Sequence, residues 1–264
     1  MSETITTKTP DDEGRQSYMF RMLTLLEHVA LDDEESLQPS ELASRLGMPS
    51  STAARQVALL DAQGFIRRGE DGVLLPGPRM VQMALRTVTK MPGNIEIRRA
   101  AQSLGGATGE SVSVGLIVGN EIVLMAREEP EHPLRIVARV GDIASPSTTA
   151  LGKAILASLP HDRQLDLLRA ATTPAEADRQ LAELADELEQ VRTYGFAVDE
   201  ETYSVGQRCR AAALVDADGR AFGGISVAGP TARFMQAQAQ QIVPLLLATA
   251  RDLSQELLTK DKNG

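Results

Sequence analysis

Ser40-Glu-Leu-Ala-Ser-Arg-Leu-Gly-Met-Pro-Ser-Ser-Thr-Ala-Ala-Arg-Gln-Val-Ala-Leu-Leu-Asp-Ala-Gln-Gly64, followed by Phe65-Ile-Arg-Arg68, reads as a helix, a tight turn and a second helix. Leu42, Ala43 and Leu46 supply the buried face of the first helix, and Gly47 ends it as a left-handed C-terminal residue does. Ser40 and Ser50 stand where the two N-caps belong, with Met48-Pro49 making the turn. In the second helix Ala53, Val57 and Leu60 recur as a core stripe, which leaves Ser51, Thr52, Arg55 and Gln56 on another face. Residues 65–75 alternate around Gly69-Glu-Asp-Gly72, as a small β-hairpin does. The whole is the pattern of a winged helix-turn-helix, which places its second helix in the major groove of duplex DNA.

A net charge of −9 over 264 residues does not by itself point to nucleic acid, but the charge is uneven. Acidic runs at Asp11-Asp12-Glu13 and Asp32-Asp33-Glu34-Glu35 precede a segment, residues 39–90, that holds seven Arg and Lys against four Asp and Glu. That is the distribution of a small DNA-reading module on an acidic body. Aromatic content of 3%, with no Trp, makes the core one of Ala, Val, Ile, Leu and Met. A single cysteine excludes an intrachain disulfide framework and fits a reducing cytoplasm. No apolar run approaches the roughly 18–20 residues that span a membrane, and the N-terminus carries no secretion signal.

Outward from the helix-turn-helix, Tyr18–Ala30 reads as a helix with Met19, Met22, Leu23, Leu26 and Val29 on one face. Residues 1–14 are polar and predict a disordered tail. Pro76-Gly77-Pro78 breaks the chain before a linker helix over Arg79–Thr89, whose Met80, Met83, Ala84 and Val88 are apolar. After Pro92-Gly93 come a helix at 95–104, with Gly105-Gly-Ala-Thr-Gly109 as its end, and strands at 111–118, 121–127 and 134–140; Gly119-Asn120 is a hairpin turn. Helices at 149–157, 162–169 and 175–194 follow, then strands at 195–199, 208–215 and 221–228, and a terminal helix at 236–258. The mixture predicts an antiparallel sheet flanked by helices, an α+β class.

With both halves laid out, the chain resembles the IclR family of bacterial transcriptional regulators from about residue 18 to residue 258. The second half carries the specific resemblance. Gly141-Asp-Ile-Ala-Ser-Pro-Ser-Thr-Thr-Ala-Leu-Gly-Lys-Ala-Ile-Leu156, Tyr194-Gly-Phe-Ala-Val-Asp-Glu-Glu201, Gly206-Gln-Arg-Cys-Arg-Ala-Ala212, and Gly224-Ile-Ser-Val-Ala-Gly-Pro230 with Arg233 match its C-terminal signature in order and spacing. The chain departs from that signature at Thr202, where an acid is usual, at Arg210, where an apolar residue is usual, and at Ala213, where proline is usual. The resemblance implies a winged helix-turn-helix domain over 15–77 and a linker helix over 78–91. It implies an effector-binding and oligomerisation domain over 92–264, similar to GAF and profilin-like sensors. It further implies a palindromic operator, a small-molecule effector, dimers and commonly tetramers, and neither a cofactor nor a metal.

The N-terminal polar residues of the second helix meet the groove first, so Ser50, Ser51 and Thr52 are expected to bond phosphate or base edges. Arg55 is suited to the O6 and N7 of guanine, and Gln56 to adenine. Arg67 and Arg68 in the wing are expected at phosphate or in the minor groove. Alternatively, Ser50 only caps its helix and Arg55 sits in a surface ion pair.

For the effector site, the resemblance places Thr148, Thr149, Ala150, Leu151 and Gly152 as a loop and helix start over the ligand. Consecutive N–H groups there favour an anion, though a Thr at this place can equally be an N-cap. Asp199 resembles an acid beside the pocket, and an Asp after a strand is as often a turn residue. Cys209 matches a pocket-facing cysteine; a free Cys is also an ordinary small buried hydrophobe. Ser226 and Ala228 share a face by period-two alternation and match pocket positions, with Ala228 standing where many relatives carry a second hydroxyl. Ile136 and Ala144 match an apolar wall, and Gln207 stands where some relatives are apolar. The expected ligand is a small carboxylate or acyl compound, with an aromatic ring compatible.

Other chemistries fit less well. Gly152-Lys153 is followed by Ala154 and lacks the upstream glycine of a P-loop. Gly224-Ile-Ser-Val-Ala228 ends in Ala, unlike a nucleophile elbow. His28, His132 and His161 fit no zinc spacing. The rival readings are a hydrolase or isomerase using Cys209 and Asp199, disfavoured because no paired base is visible, and a sensor or scaffold that does not bind DNA.

Overall fold

The computed structural model describes residues 18–31, 37–132, 136 and 138–261; the tail expected over residues 1–14 lies outside them. The described chain divides into two compact units, the first ending at Met91 and the second beginning at Pro92.

The first unit comprises α1 (Tyr18–Leu31), α2 (Pro39–Arg45), α3 (Ser50–Ala62), β1 (Ile66–Arg68), β2 (Leu74–Pro76) and α4 (Pro78–Lys90). Leu25, Val29, Leu37, Leu42, Val57, Leu60, Ile66 and Leu74 form its core. Gly47 follows α2 at φ +59°, the left-handed residue the sequence demanded. The wing pairs antiparallel, with Ile66 opposite Pro76 and Arg68 opposite Leu74.

The caps differ from expectation. Gln38 and Pro49 precede the two helices, Ser40 and Ser50 lie inside them, and neither helix has a side-chain cap bond. Pro39 occupies the first turn of α2, where its missing N–H and fixed φ cost nothing. The Pro49 carbonyl accepts from the N–H groups of Thr52 and Ala53 and so starts α3.

A second correction concerns Gln56. It is fully buried, not on the groove-facing side of α3. Ala53, Gln56, Val57 and Leu60 fall at i, i+3, i+4 and i+7, which is one full helical face, and Gln56 completes it. The α4 helix begins where Gly77 crosses the end of α3: a Cβ on Gly77 would lie 2.3 Å from the Gly64 carbonyl oxygen. Met80 packs on the core of this unit, whereas Val81, Met83 and Leu85 are 46%, 56% and 62% exposed and have no cover within it.

In the second unit, α5 (Asn94–Thr108) precedes β3 (Ser111–Val118), β4 (Glu121–Glu128) and β5 (Ile143–Ala144). Next come α6 (Ala150–Ala157), α7 (His161–Ala171), α8 (Pro174–Glu183) and α9 (Ala185–Tyr194). The chain ends with β6 (Ala197–Glu200), β7 (Gln207–Val215), β8 (Ala221–Pro230), α10 (Gln236–Gln241) and α11 (Val243–Asp261). The six strands form one antiparallel sheet in the order β5-β4-β3-β8-β7-β6. On one face α5 and α11 pack through Ile97, Leu104, Leu246 and Leu253 onto Val112, Val114, Ile225 and Val227. On the other, Leu151, Ile155, Leu167 and Leu188 of α6, α7 and α9 pack with Ile122, Leu124, Ala197 and Ala211. The class is α+β, as the mixed pattern predicted.

Three boundaries differ. Of the strand expected at 134–140, residues 136 and 138–140 are not in strand, residues 134, 135 and 137 lie outside the described residues, and the edge strand is β5 instead. The helix expected at 175–194 is two, divided at Leu184, and nothing in the local sequence accounts for the division. The terminal helix is also two. It breaks at Ile242, just before Pro244, which has no N–H with which to continue the ladder. In addition, β4 carries a bulge: Val114 pairs with Ala126 but Gly115 with Leu124, so Met125 is an extra residue and Arg127 returns to the face of Ile122 and Leu124.

Gln56 generates a stability prediction. Neither its amide nitrogen nor its amide oxygen has a hydrogen-bond partner among the described residues, and such a buried group costs roughly 1–3 kcal/mol. Gln56→Met should therefore stabilise the protein by about that amount, read as a higher urea midpoint with unchanged slope. An unchanged or lower midpoint would show that the amide is satisfied in solution.

Candidate DNA interface and effector site

The outward face of α3 presents Ser50, Ser51, Ala54, Arg55, Ala58 and Leu59, all exposed, with Thr52 half-buried beside them. Arg55 is its one basic side chain, and the guanidinium carbon stands 5.9 Å from the centre of the Tyr18 ring of α1, a cation–π contact that narrows its orientations. Arg67 and Arg68 are exposed on β1, and Arg68 lies 4.0 Å from Asp61. Five of the expected DNA-facing residues and the half-buried Thr52 thus sit on accessible surface; Gln56 does not.

In the second unit the strand register aligns the expected residues in rows on the α6 side of the sheet. One row runs Asp199, Cys209, Ala228 and Ser111; the next runs Ala197, Ala211, Ser226, Ser113 and Arg127. Gln207 continues the β7 alternation opposite Pro230 and is half-buried. Ala144 pairs with Ile122, and Ile136 packs half-buried against the same cluster, so both stand at the wall of this face.

Helix α6 approaches the sheet where two strands lack side chains. Built Cβ atoms on Gly115 and Gly224 would lie 3.0 and 2.8 Å from the Leu151 methyl groups. The helix then runs toward Ser158, whose carbonyl accepts the Ala221 N–H, so its N-terminus lies on the Ser226–Ser113 side. Thr149 caps it: its hydroxyl accepts the Gly152 N–H at 3.0 Å and donates to the Ser145 carbonyl at 2.7 Å. Gly152 therefore does not offer a free N–H to an anion. Its lack of a side chain serves packing, since a Cβ there would lie 2.3 Å from the Ser145 carbonyl oxygen. Thr148 is exposed, while Ala150 and Leu151 are buried.

Asp199 plays the turn role with one oxygen only. It is 1% exposed, and Oδ1 accepts the N–H groups of Thr202 and Tyr203 at 2.8 and 3.2 Å. Its other oxygen, Oδ2, is buried with no partner among the described residues. The Cys209 thiol is pushed up to about 12, first by burial and then by the Asp199 carboxylate, against smaller opposing pulls that include Arg210, Ser226 and Arg127. It is thus a protonated, weakly donating wall and not a thiolate nucleophile. Arg210, where an apolar residue is usual, points to Glu200 and to the Cys209 carbonyl. Burial pushes the Glu200 carboxyl up, but Arg208 and Arg210 together hold it below its usual range. The signature Arg233 makes a two-pronged pair with buried Glu110 at 2.8 Å per prong.

Sequence reasoning missed Ser111, Ser113 and Arg127. The alternation of Ser111 and Ser113 with Val112 and Val114 marked a polar face, but Arg127 joins it only through the bulge at Met125. Two open clefts of about 430 and 470 Å³ border Arg192 around α6, α7 and α9; neither contains a residue of the two rows. Among the described residues no group of three His, Cys, Asp or Glu side chains converges as a metal site would require.

Comparison with known proteins agrees with this arrangement. The family model of the IclR helix-turn-helix domain matches residues 20–70, and that of the bacterial transcriptional regulator IclR C-terminal domain matches residues 86–255. The HTH-type transcriptional regulator BhcR of Paracoccus denitrificans is 30% identical over 92% of this chain and 88% of its own. The transcriptional repressor IclR of Escherichia coli is 26% identical over 91% and 90%. The crystal structure of an IclR homologue from Microbacterium hydrocarbonoxydans, complexed with 4-hydroxybenzoate, shares the fold with a TM-score of 0.70 at 20% identity, covering 92% of this chain and all (100%) of that one. The chain belongs to the IclR family of DNA-binding bacterial transcriptional regulators.

Proposed function

We propose that this regulator reads its operator through Ser50, Ser51, Thr52 and Arg55 on α3, with Arg67 and Arg68 of the wing on the DNA backbone. In this reading a small organic acid binds between the Asp199–Cys209–Ser226 face and the start of α6, and changes operator affinity. The observation that carries the effector half is the buried, unpartnered Oδ2 of Asp199, because such a group is rarely left without a donor in a native protein. The 4-hydroxybenzoate in the Microbacterium relative supports an organic acid as the ligand class. Ile136, Ala144, Gln207 and Ala228 wall the site, with Thr148, Thr149, Ala150, Leu151 and Gly152 at its helix end.

The protein acts in the cytoplasm as a homodimer, or a tetramer of two such dimers, on a palindromic operator. The uncovered Val81, Met83 and Leu85 of α4 support the self-association. An effector changes DNA affinity only by binding two arrangements of the protein unequally, and α4, the last element of the first unit, is the element that passes the change on.

Arg55→Ala should lose roughly 1–3 kcal/mol of specific operator binding and relax base preference at one position per half-site. Anisotropy titrations giving unchanged affinity and unchanged preference everywhere would remove Arg55 from readout. Calorimetric titration with aliphatic and aromatic acids should find a binder that also shifts operator affinity. Binding by none of them, alongside binding by another compound class, would end the acid reading. Iodoacetamide, applied at a pH well below the thiol's value of about 12, should leave Cys209 unmodified until urea is added. Rapid alkylation of the folded protein would instead return the enzyme reading to contention.

A further inference from the structure

Arg21 of α1 is half-buried, and its Nε is buried with no hydrogen-bond partner. No acid or other acceptor among the described residues bonds its guanidinium. Other arginines of the unit are engaged: Arg45 with Glu41 at 2.7 Å, Arg79 over the Phe65 ring at 5.6 Å, and Arg68 at 4.0 Å from Asp61. A guanidinium carries five donors and no acceptor of its own. A buried donor left without an acceptor is disfavoured, and native proteins rarely keep one.

The place of Arg21 on α1 says where the acceptor comes from. Tyr18, Arg21 and Leu25 stand at i, i+3 and i+7 and share one stripe of the helix. Both ends of that stripe meet α3. The Tyr18 ring centre lies 5.9 Å from the Arg55 guanidinium carbon, and fully buried Leu25 shares a core with Val57 and Leu60. Arg21 therefore runs beside α3, about 4.5 Å along the α1 axis from Tyr18. Neither Arg21 nor Arg55 has an ion-pair partner among the described residues, so two positive charges stand uncompensated along this edge.

We infer that Arg21 is a DNA-backbone contact, whose guanidinium takes a phosphate oxygen beside the groove that α3 enters, and that the start of α1 is thereby a part of the DNA interface in addition to α3 and the wing. This inference rests on the reading of α3 as the groove-facing helix.

A phosphate meets both features of Arg21. Its oxygens accept, and a guanidinium fork matches their geometry. Its negative charge offsets the repulsion between the two arginines. The contact carries no base preference, because the phosphate is the same at every step. Arg21 then fixes the register of the protein on the duplex, while Arg55, held at the Tyr18 ring, reads a base.

The test uses the full-length protein, a duplex that it selects from a random-sequence pool, and an unselected duplex. Anisotropy titrations are run at about 50 and about 200 mM salt. One phosphate contact contributes about 0.9 to the salt slope, so Arg21→Gln should shrink the loss of affinity across that range about three- to fourfold per protomer bound. It should weaken both duplexes and leave base preference unchanged, whereas Arg55→Ala should change the preference. Arg21→Lys should restore most of the slope. A purely packing role, or a bond to an acid of a second copy, would lower the urea midpoint without moving the salt slope. An unchanged slope in Arg21→Gln, or an altered base preference, overturns the assignment. If Arg55→Ala and Arg67→Ala weaken binding and Arg21→Gln does not, this proposal fails while the reading of α3 stands. If the protein selects no duplex and none of the three substitutions matters on the unselected one, both fail. Should Arg21→Gln not fold, the Arg21 Nε–H resonance, identified by its loss in Arg21→Lys, decides. A shift on adding the unselected duplex upholds the contact, and no shift overturns it.

Discussion

The seating of Leu151 on Gly115 and Gly224 is the contact on which the second unit depends. Two neighbouring strands present no side chain at the same row, so α6 lies closer to the sheet than any other pair of residues there would let it. Its Ala154 and Ala157 continue that close packing toward Ala213 and Ala221. The approach points the start of α6 at the Ser226–Ser113 row, and Gly152 lets the Ser145–Pro146 backbone cross over it. The placement of α6 over the polar rows is thus a consequence of small residues on three elements: a larger side chain at Gly115 or Gly224 would lift the helix and separate its N-terminus from those rows.

Much of this was legible in the sequence because the relevant signals are local. The helix-turn-helix follows from one glycine at a left-handed position and an apolar spacing; the hairpin turn at Gly119 follows from the same logic, with φ +63° where the turn needs it. Alternation placed Ser226 and Ala228 on one face with no knowledge of their neighbours. What stayed hidden depends on phase or on partners. Gln56 is polar, and its place in the i, i+3, i+4, i+7 face was read by residue type instead of by angle. The serine caps were mis-assigned because proline at the helix starts does that work. Arg127 could not be placed by counting, since one bulged residue inverts the side of everything after it. Asp199 could not be placed by type, because one oxygen closes a turn while the other is buried without a partner among the described residues.

The proposed DNA-reading surface is chemically sparse. Alanines at 54 and 58 flank Arg55, and small apolar groups of this kind suit thymine methyls as well as they allow close approach to the groove floor. Tyr18 belongs to α1, so the orientation of Arg55 depends on a residue of another helix. In the proposed reading, mutation of the first helix is thereby coupled to base preference.

The bulge at Met125 has an evolutionary consequence. Deletion of Met125 would leave Ala126 opposite Val114 and Arg127 opposite Ser113 in a regular ladder, so the arginine would keep its side of the sheet. Slippage that absorbed the extra residue without deleting it would instead set Ala126 opposite Ser113 and Arg127 opposite Val112, turning the arginine to the α5 and α11 side. Loss of a residue at this point is therefore tolerated where loss of the bulge alone is not.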